Sequence, residues 1–190
     1  MSFTALSTHI SVEEYLAGEV TAQEKHDYVD GAVYAMAGAS EAHNTIAANL
    51  LGVLYAQLRG KPCQPFGSDM KVWTRMPQGQ CFYYPDAMVA CDPSDTGRDW
   101  RERPAAIFEI ISEDTRRVDE KEKRFMYFSI LGLQAYVRLE QARAEAVVER
   151  PSSNGWQTER VSGSEAVIRL PELGLELPLA ELYERVRFAA

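Results

Sequence analysis

No stretch of the chain approaches the roughly 18–20 apolar residues that a bilayer-spanning helix needs. Its first residues, MSFTALSTHISVEEYLAGE, have neither the basic start nor the long apolar run of a secretory signal. Cysteine is scarce as well. Cys63, Cys81 and Cys91 are odd in number and widely spaced, with no Cys-x-x-Cys pair. That spacing argues against a zinc knuckle and against a secreted disulfide framework. The thiols therefore read as isolated, small buried apolar groups, and a reducing cytoplasm is the expected location. Positive charge is in short supply: 20 Lys and Arg against 28 Asp and Glu leave a formal net charge of −8. A constitutive, non-specific nucleic-acid coat is disfavoured by that balance, because phosphate neutralisation drives such binding. A nuclease remains compatible with it, since carboxylates gathered around a cation are themselves negative.

What is present is an ordinary globular composition. The 190 residues are 46% apolar, enough for one domain over residues 1–190 with a sizeable core. Ser11 and Glu14 form a capping-box pattern opening a helix over Val12–Ala17, with Gly18 as its stop. Asp30–Gly31 lies between stretches rich in Tyr and Val, as a tight hairpin turn requires, and puts Asp27 on or just before the first hairpin strand. Ser40 caps a second helix. Ile46, Leu50, Leu54 and Leu58 form its apolar face with a 3.6-residue period, and Leu51 and Tyr55 widen the surface to another side.

Candidate strands follow at Lys61–Thr74, with a bend at Pro65–Gly67, then at Cys81–Ala90, interrupted by Pro85, and at Ala105–Ile111. Within the first of these, Asp69 and Lys71 alternate and would share a face. Beyond a polar loop at 92–103, the sequence SEDTRRVDEKEKRFMYFSILG reads as a loop and then a helix. Phe125 and Phe128 would form its buried side, and Glu120 with Arg124 an exposed i,i+4 pair. Strands at 134–139, 144–150, 156–161 and 166–170, the later ones in a peripheral sheet, and a short helix at 178–183 complete an α/β domain.

The residues able to carry chemistry are few. Glu109 interrupts a nearly all-apolar strand, where an unpaired carboxylate carries a large desolvation cost; a nearby Arg or Lys would also satisfy it. Asp86 follows Pro85 at a strand interruption, which equally suits an ordinary turn. Converging, these carboxylates would suit a hard cation such as Mg²⁺, which can polarise a phosphodiester and lower the pKa of a bound water. Asp119 and Lys123 are four apart, and Lys123 can balance transition-state charge if it points at Glu109. His43 lies in the first turn of its helix, where an anion is favoured. Asp27 is a further carboxylate, and Arg116 and Arg117 can contact a phosphate backbone, although a charged loop explains them as readily.

The segments HDYVDGAVYAMAGASEAHN, FGSDMKV, FYYPDAMV and FEIISEDT, followed by DEKEK, occur in an order that resembles the Uma-two family of the restriction-endonuclease-like PD-(D/E)xK superfamily. The resemblance covers about residues 24–127, the implied catalytic core. It implies a mixed central sheet flanked by helices, with an N-terminal hairpin and a C-terminal β extension. It also implies that Asp86 and Glu109 bind the metal with support from Asp27, and that His43, Lys71, Asp119 and Lys123 are site positions. One departure concerns the amine. Where the superfamily signature has Lys two residues after the second carboxylate, this chain has Ile111. Lys123 from the following helix is the favoured replacement, with Lys71 as the alternative. Another is Ser112–Glu113–Asp114–Thr115, whose extra carboxylates can repel DNA or alter metal occupancy.

The function implied is Mg²⁺- or Mn²⁺-dependent hydrolysis of DNA, with DNA as partner. Apolar residues in the tail would also allow a homodimer. Competing readings are a catalytically inactive nucleic-acid-binding or assembly protein on the same scaffold, and an enzyme acting on another phosphate ester.

Overall fold

The computed structural model describes residues 9–36, 38–77, 79–112 and 118–188, with backbone only for 118–120. In chain order it comprises α1 (Val12–Glu19), β1 (His26–Val29), β2 (Ala32–Ala35), α2 (Glu41–Leu58), β3 (Gln64–Gly67), β4 (Lys71–Met76) and β5 (Gly79–Tyr83). Next come β6 (Ala87–Ala90), β7 (Trp100–Arg101), β8 (Pro104–Ile111), a π-helical turn (Val118–Lys123) and α3 (Arg124–Tyr127). The chain continues through β9 (Ala135–Glu140), β10 (Glu145–Ser152), β11 (Gly155–Ser162), β12 (Val167–Leu170), β13 (Leu175–Pro178) and α4 (Leu179–Leu182).

Two sheets dominate. The smaller has five strands in the order β2-β1-β5-β4-β7, and the larger has six in the order β11-β10-β9-β8-β6-β3. Both are mixed, through the parallel pairs β4–β7 and β8–β9. Helix α2 packs on one face of the larger sheet through Ile46, Leu50, Leu54 and Leu58, against Ala106, Phe108 and Ile110 of β8. Each such side chain contributes about 1.5–3 kcal/mol on full burial. The opposite face of β8, represented by Ile107, meets Val72, Cys81 and Tyr83 of the smaller sheet and Tyr127 of α3. Helix α1 covers the outer face of the smaller sheet, where Tyr15, Tyr28 and Phe82 cluster. The fold is thus α/β, with central sheets flanked by helices and β elements added at the C-terminal end, as the family resemblance implies.

Local chemistry explains most boundaries. Ser11 and Glu14 form the reciprocal capping box, but α1 continues through Gly18 to Glu19. Glycine weakens a helix without compelling it to end. The β1–β2 turn is built by Asp30 and Gly31 at φ 44° and 92°, the positive pair that a tight hairpin demands.

Other elements depart from the sequence reading. The bend after β3 falls at Ser68–Met70, leaving Pro65 inside an edge strand, where its missing N–H costs no ladder bond. The run Cys81–Ala90 is not one strand, because β5 and β6 belong to different sheets and Pro85–Asp86 forms the corner between them. Tyr55 is 60% exposed, so that side of α2 is not covered as its apolar surface suggested. β10 and β11 extend the main sheet, and only β12 and β13 form a separate pair.

The thiols also differ from expectation. Cys63 and Cys91 form a disulfide, and Cys81 is buried and free. Gln64 pairs with Ala90 across β3–β6, and one register step outward brings the cysteines together. Their sequence separation of 28 conceals this. Closing a loop of that size stabilises by about 3–4 kcal/mol in the chain-entropy account. Reduction is therefore expected to lower the denaturation midpoint. Thiol titration of the unfolded, unreduced protein should find Cys81 alone; three reactive thiols would remove the pairing.

Candidate active site

Strand alternation sends Ile107 and Glu109 to the same side of β8, between the sheets. Glu109 is 3% exposed. On the adjacent strand the antiparallel register pairs Ala87 with Phe108, and its next step sets Asp86 opposite Glu109. The carboxylate of Asp86 is pinned at that point, since Oδ2 accepts a hydrogen bond from the Ile110 N–H at 2.6 Å. The two acidic residues are therefore neighbours in space although distant in sequence.

Each has a partner from a helix. His43 stands in the first turn of α2, where the Ser40 hydroxyl caps its N–H at 3.1 Å. Its Nε2 lies 2.9 Å from Asp86 Oδ1. On the other side, Lys123 Nζ donates to Glu109 Oε1 at 3.2 Å, and the Tyr127 hydroxyl donates to the same oxygen at 3.0 Å. Lys123 is 7% exposed, so the ion pair lies largely out of water. Burial first, and then the charge of Glu109, push the Tyr127 phenol far above its ordinary range, and it stays a donor. Asp27 approaches from β1: its Oδ1 accepts the Tyr84 N–H at 3.1 Å, just before the Pro85–Asp86 corner.

Lys71 lies elsewhere. Val72 faces the inter-sheet core, so alternation turns Lys71 toward the α1 side of the small sheet. There its Nζ donates to the Tyr84 hydroxyl at 3.2 Å, and that hydroxyl donates to Glu19 Oε2 at 2.8 Å. Burial pulls the Lys71 amine below its usual pKa, opposed by Asp99 and Glu19. Asp69 does not share its strand; it sits in the preceding turn and pairs with Lys25 at 2.6 Å. Asp119 belongs to the π-helical turn, its side chain outside the described residues, as are Glu113–Arg117 entirely.

Phe125 is 64% exposed, contrary to its assignment to the buried side. Lys123 and Tyr127, four apart, share the inward side, and Phe125, two positions from each, faces away. Phe128 is half-buried and stacks on Trp156 at 3.8 Å. Arg124 bonds Glu149 through Nε at 2.8 Å and Nη2 at 2.7 Å; the side chain of Glu120, its expected partner, lies outside the described residues.

A family model, Uma2, described as "Putative restriction endonuclease", matches residues 12–180. The chain belongs to the Uma2 family. It is 29% identical over 181 residues to "Uncharacterized protein slr1290" of Synechocystis sp. (strain ATCC 27184 / PCC 6803 / Kazusa), covering 94% of each chain. Identity to "Uncharacterized protein sll1609" of the same strain is 29% over 144 residues, which is 74% of this chain and 80% of the relative. The fold is similar to a crystal structure of a "putative nuclease belonging to DUF820" from Anabaena variabilis ATCC 29413. That likeness has a TM-score of 0.70 at 16% identity, over 92% of this chain and 97% of the other.

Family and fold are therefore nuclease-like. Among the described residues, no group of three or more His, Cys, Asp or Glu side chains is arranged to hold an ion. The donor set fits a hydrated hard cation rather than an all-protein cage, since Mg²⁺ commonly binds through one or two carboxylates and keeps several waters. Asp86 and Glu109, on opposed register positions of this Uma2 sheet, are two carboxylates of that kind. No described helix is long and apolar enough to cross a membrane. Two open hollows lined by residues of 62–66 and 90–103 include none of Asp86, Glu109 and Lys123. Sequence reasoning passed over Tyr127, although its i+4 spacing from Lys123 was a usable signal.

Proposed function

We propose that this Uma2 protein is a metal-dependent endonuclease that hydrolyses DNA phosphodiester bonds. The observation that carries the reading is the Asp86 carboxylate bonded to the N–H of the residue after Glu109, with the Lys123 amine 3.2 Å from Glu109. Asp86 and Glu109 would hold Mg²⁺ or Mn²⁺, with Asp27 supporting from behind the Tyr84–Asp86 backbone. When bound, such an ion would polarise the phosphodiester and lower the pKa of a bound water. Lys123 would orient the attacking water and offset negative charge gathering on the phosphate oxygens. His43 fixes the orientation of Asp86. With its side chain 20% exposed, it lies on the side of the pair more open to a phosphate.

Supercoiled plasmid and single- and double-stranded oligonucleotides incubated with Mg²⁺ or Mn²⁺ test the proposal. The wild type is expected to cleave, and Lys123→Ala to be slower by roughly 10²-fold or more, the scale of losing one transition-state charge partner. No turnover by folded wild-type protein on any DNA form with either metal would sink it. A second reading, an inactive scaffold that binds nucleic acid, draws on the absence of a three-ligand group among the described residues. It is distinguished by salt-sensitive DNA binding without Mn²⁺ uptake or cleavage.

A further inference from the structure

We infer that Tyr127 is a positioning residue, whose hydroxyl keeps Glu109 in its cation-binding orientation while Lys123 serves the substrate. The inference rests on the metal-dependent reading above and divides labour between two donors that reach Glu109 among the described residues.

Both reach the same oxygen, Oε1, at 3.0 Å from Tyr127 and 3.2 Å from Lys123. They are mechanically unlike. A lysine amine is a compact charge on a flexible four-carbon stem, and the chemistry proposed for it requires contact with water or phosphate. In moving there it loosens its hold on Glu109. The tyrosine ring is stiff and fully buried, at 0% exposure. It is gripped edge-to-face by Tyr83 with centroids 5.8 Å apart and by Tyr136 at 5.4 Å. Its hydroxyl thus has a nearly fixed position beside the carboxylate. Donors of this kind behind a ligand set its orientation, and losing one typically costs about 10–100-fold in metal affinity or activity. α3 itself is anchored to the main sheet by the Arg124–Glu149 bonds, which hold the base of the tyrosine in register.

The test is Mn²⁺ titration calorimetry on wild type, Tyr127→Phe and Glu109→Gln, followed by cleavage kinetics with the metal varied. The expected result is a Kd for Mn²⁺ raised roughly tenfold in Tyr127→Phe, recovered activity at high Mn²⁺, and no measurable uptake by Glu109→Gln. Wild-type Mn²⁺ affinity in Tyr127→Phe, alongside loss in Glu109→Gln, would overturn the inference and leave the metal-dependent reading standing. Absence of Mn²⁺ binding by the wild type would overturn both. If Tyr127→Phe does not fold, a Mn²⁺-bound wild-type crystal decides. The Tyr127 hydroxyl within hydrogen-bond distance of Glu109 supports the inference, and a hydroxyl turned away from it refutes the inference.

Discussion

Asp86→Asn is expected to slow metal-dependent cleavage by at least about 10²-fold, beyond the 10–100-fold typical of residues that merely support a ligand. The substitution nearly preserves shape and removes one charge. The asparagine oxygen can still accept the Ile110 N–H, now made by Asp86 Oδ2 at 2.6 Å, while its amide turns toward His43. The fold is therefore expected to survive with a loss of about 1 kcal/mol, the worth of one altered hydrogen bond. What disappears is half of the anionic charge supplied by the Asp86–Glu109 pair. Single-turnover cleavage at saturating DNA separates this from weakened substrate binding, and Mn²⁺ calorimetry should show the same loss. A folded Asp86→Asn protein cutting at the wild-type rate would remove Asp86 from the mechanism.

The largest stability effect is expected at Glu149. Its side chain is 2% exposed and pairs with Arg124 at 2.7 Å and Arg138 at 3.0 Å, the latter side chain 11% exposed. Thr158 adds a hydrogen bond at 3.4 Å. Glu149→Leu removes the carboxylate shared by both guanidiniums and takes that partner from the largely buried Arg138, while Arg124, 38% exposed, keeps access to water. Breaking one side of a buried ion pair costs about 3–5 kcal/mol. In a chain of this length that corresponds to a fall in Tm of roughly 10 °C. Glu149→Leu combined with Arg138→Met should recover much of the loss, since replacing both sides with apolar groups avoids the stranded charge. Urea denaturation of the single and double variants measures it. A single variant within 1 kcal/mol of wild type would show that Arg138 does not depend on Glu149 for its charge. Because Arg124 adjoins Lys123, the single variant should also lose activity at temperatures where it remains folded.

The legible parts of this molecule were those governed by local periodicity. Ile46, Leu50, Leu54 and Leu58 announce the buried face of α2 at a spacing that no strand shares, and all four are buried. Ser11 and Ser40 mark helix starts through their side-chain oxygens, and both cap. Glu109 was conspicuous as an acid in an apolar strand, and it is buried with Lys123 and Tyr127 on one oxygen. Its nearness to Asp86 was implied by the family resemblance and not by spacing, because it depends on the register of β6 against β8. The same limit hid the Cys63–Cys91 pair, which is set by β3 against β6. Pro85 was visible as an interruption, but a proline says nothing about which sheet the chain joins next. Phe125 was misassigned because its apolar character was taken for burial, whereas Lys123 and Tyr127 occupy the inward side.

The corner at Tyr84–Asp86 couples the two sheets. The amide of Tyr84 is tied to Asp27 of the smaller sheet, and the carboxylate of Asp86 to Ile110 of the larger one. The proposed ion-binding pair lies within the larger sheet, and the smaller sheet reaches it only through Asp27 at the Tyr84 amide. A change in how the sheets pack would then reach the Asp86 carboxylate through only two residues of backbone.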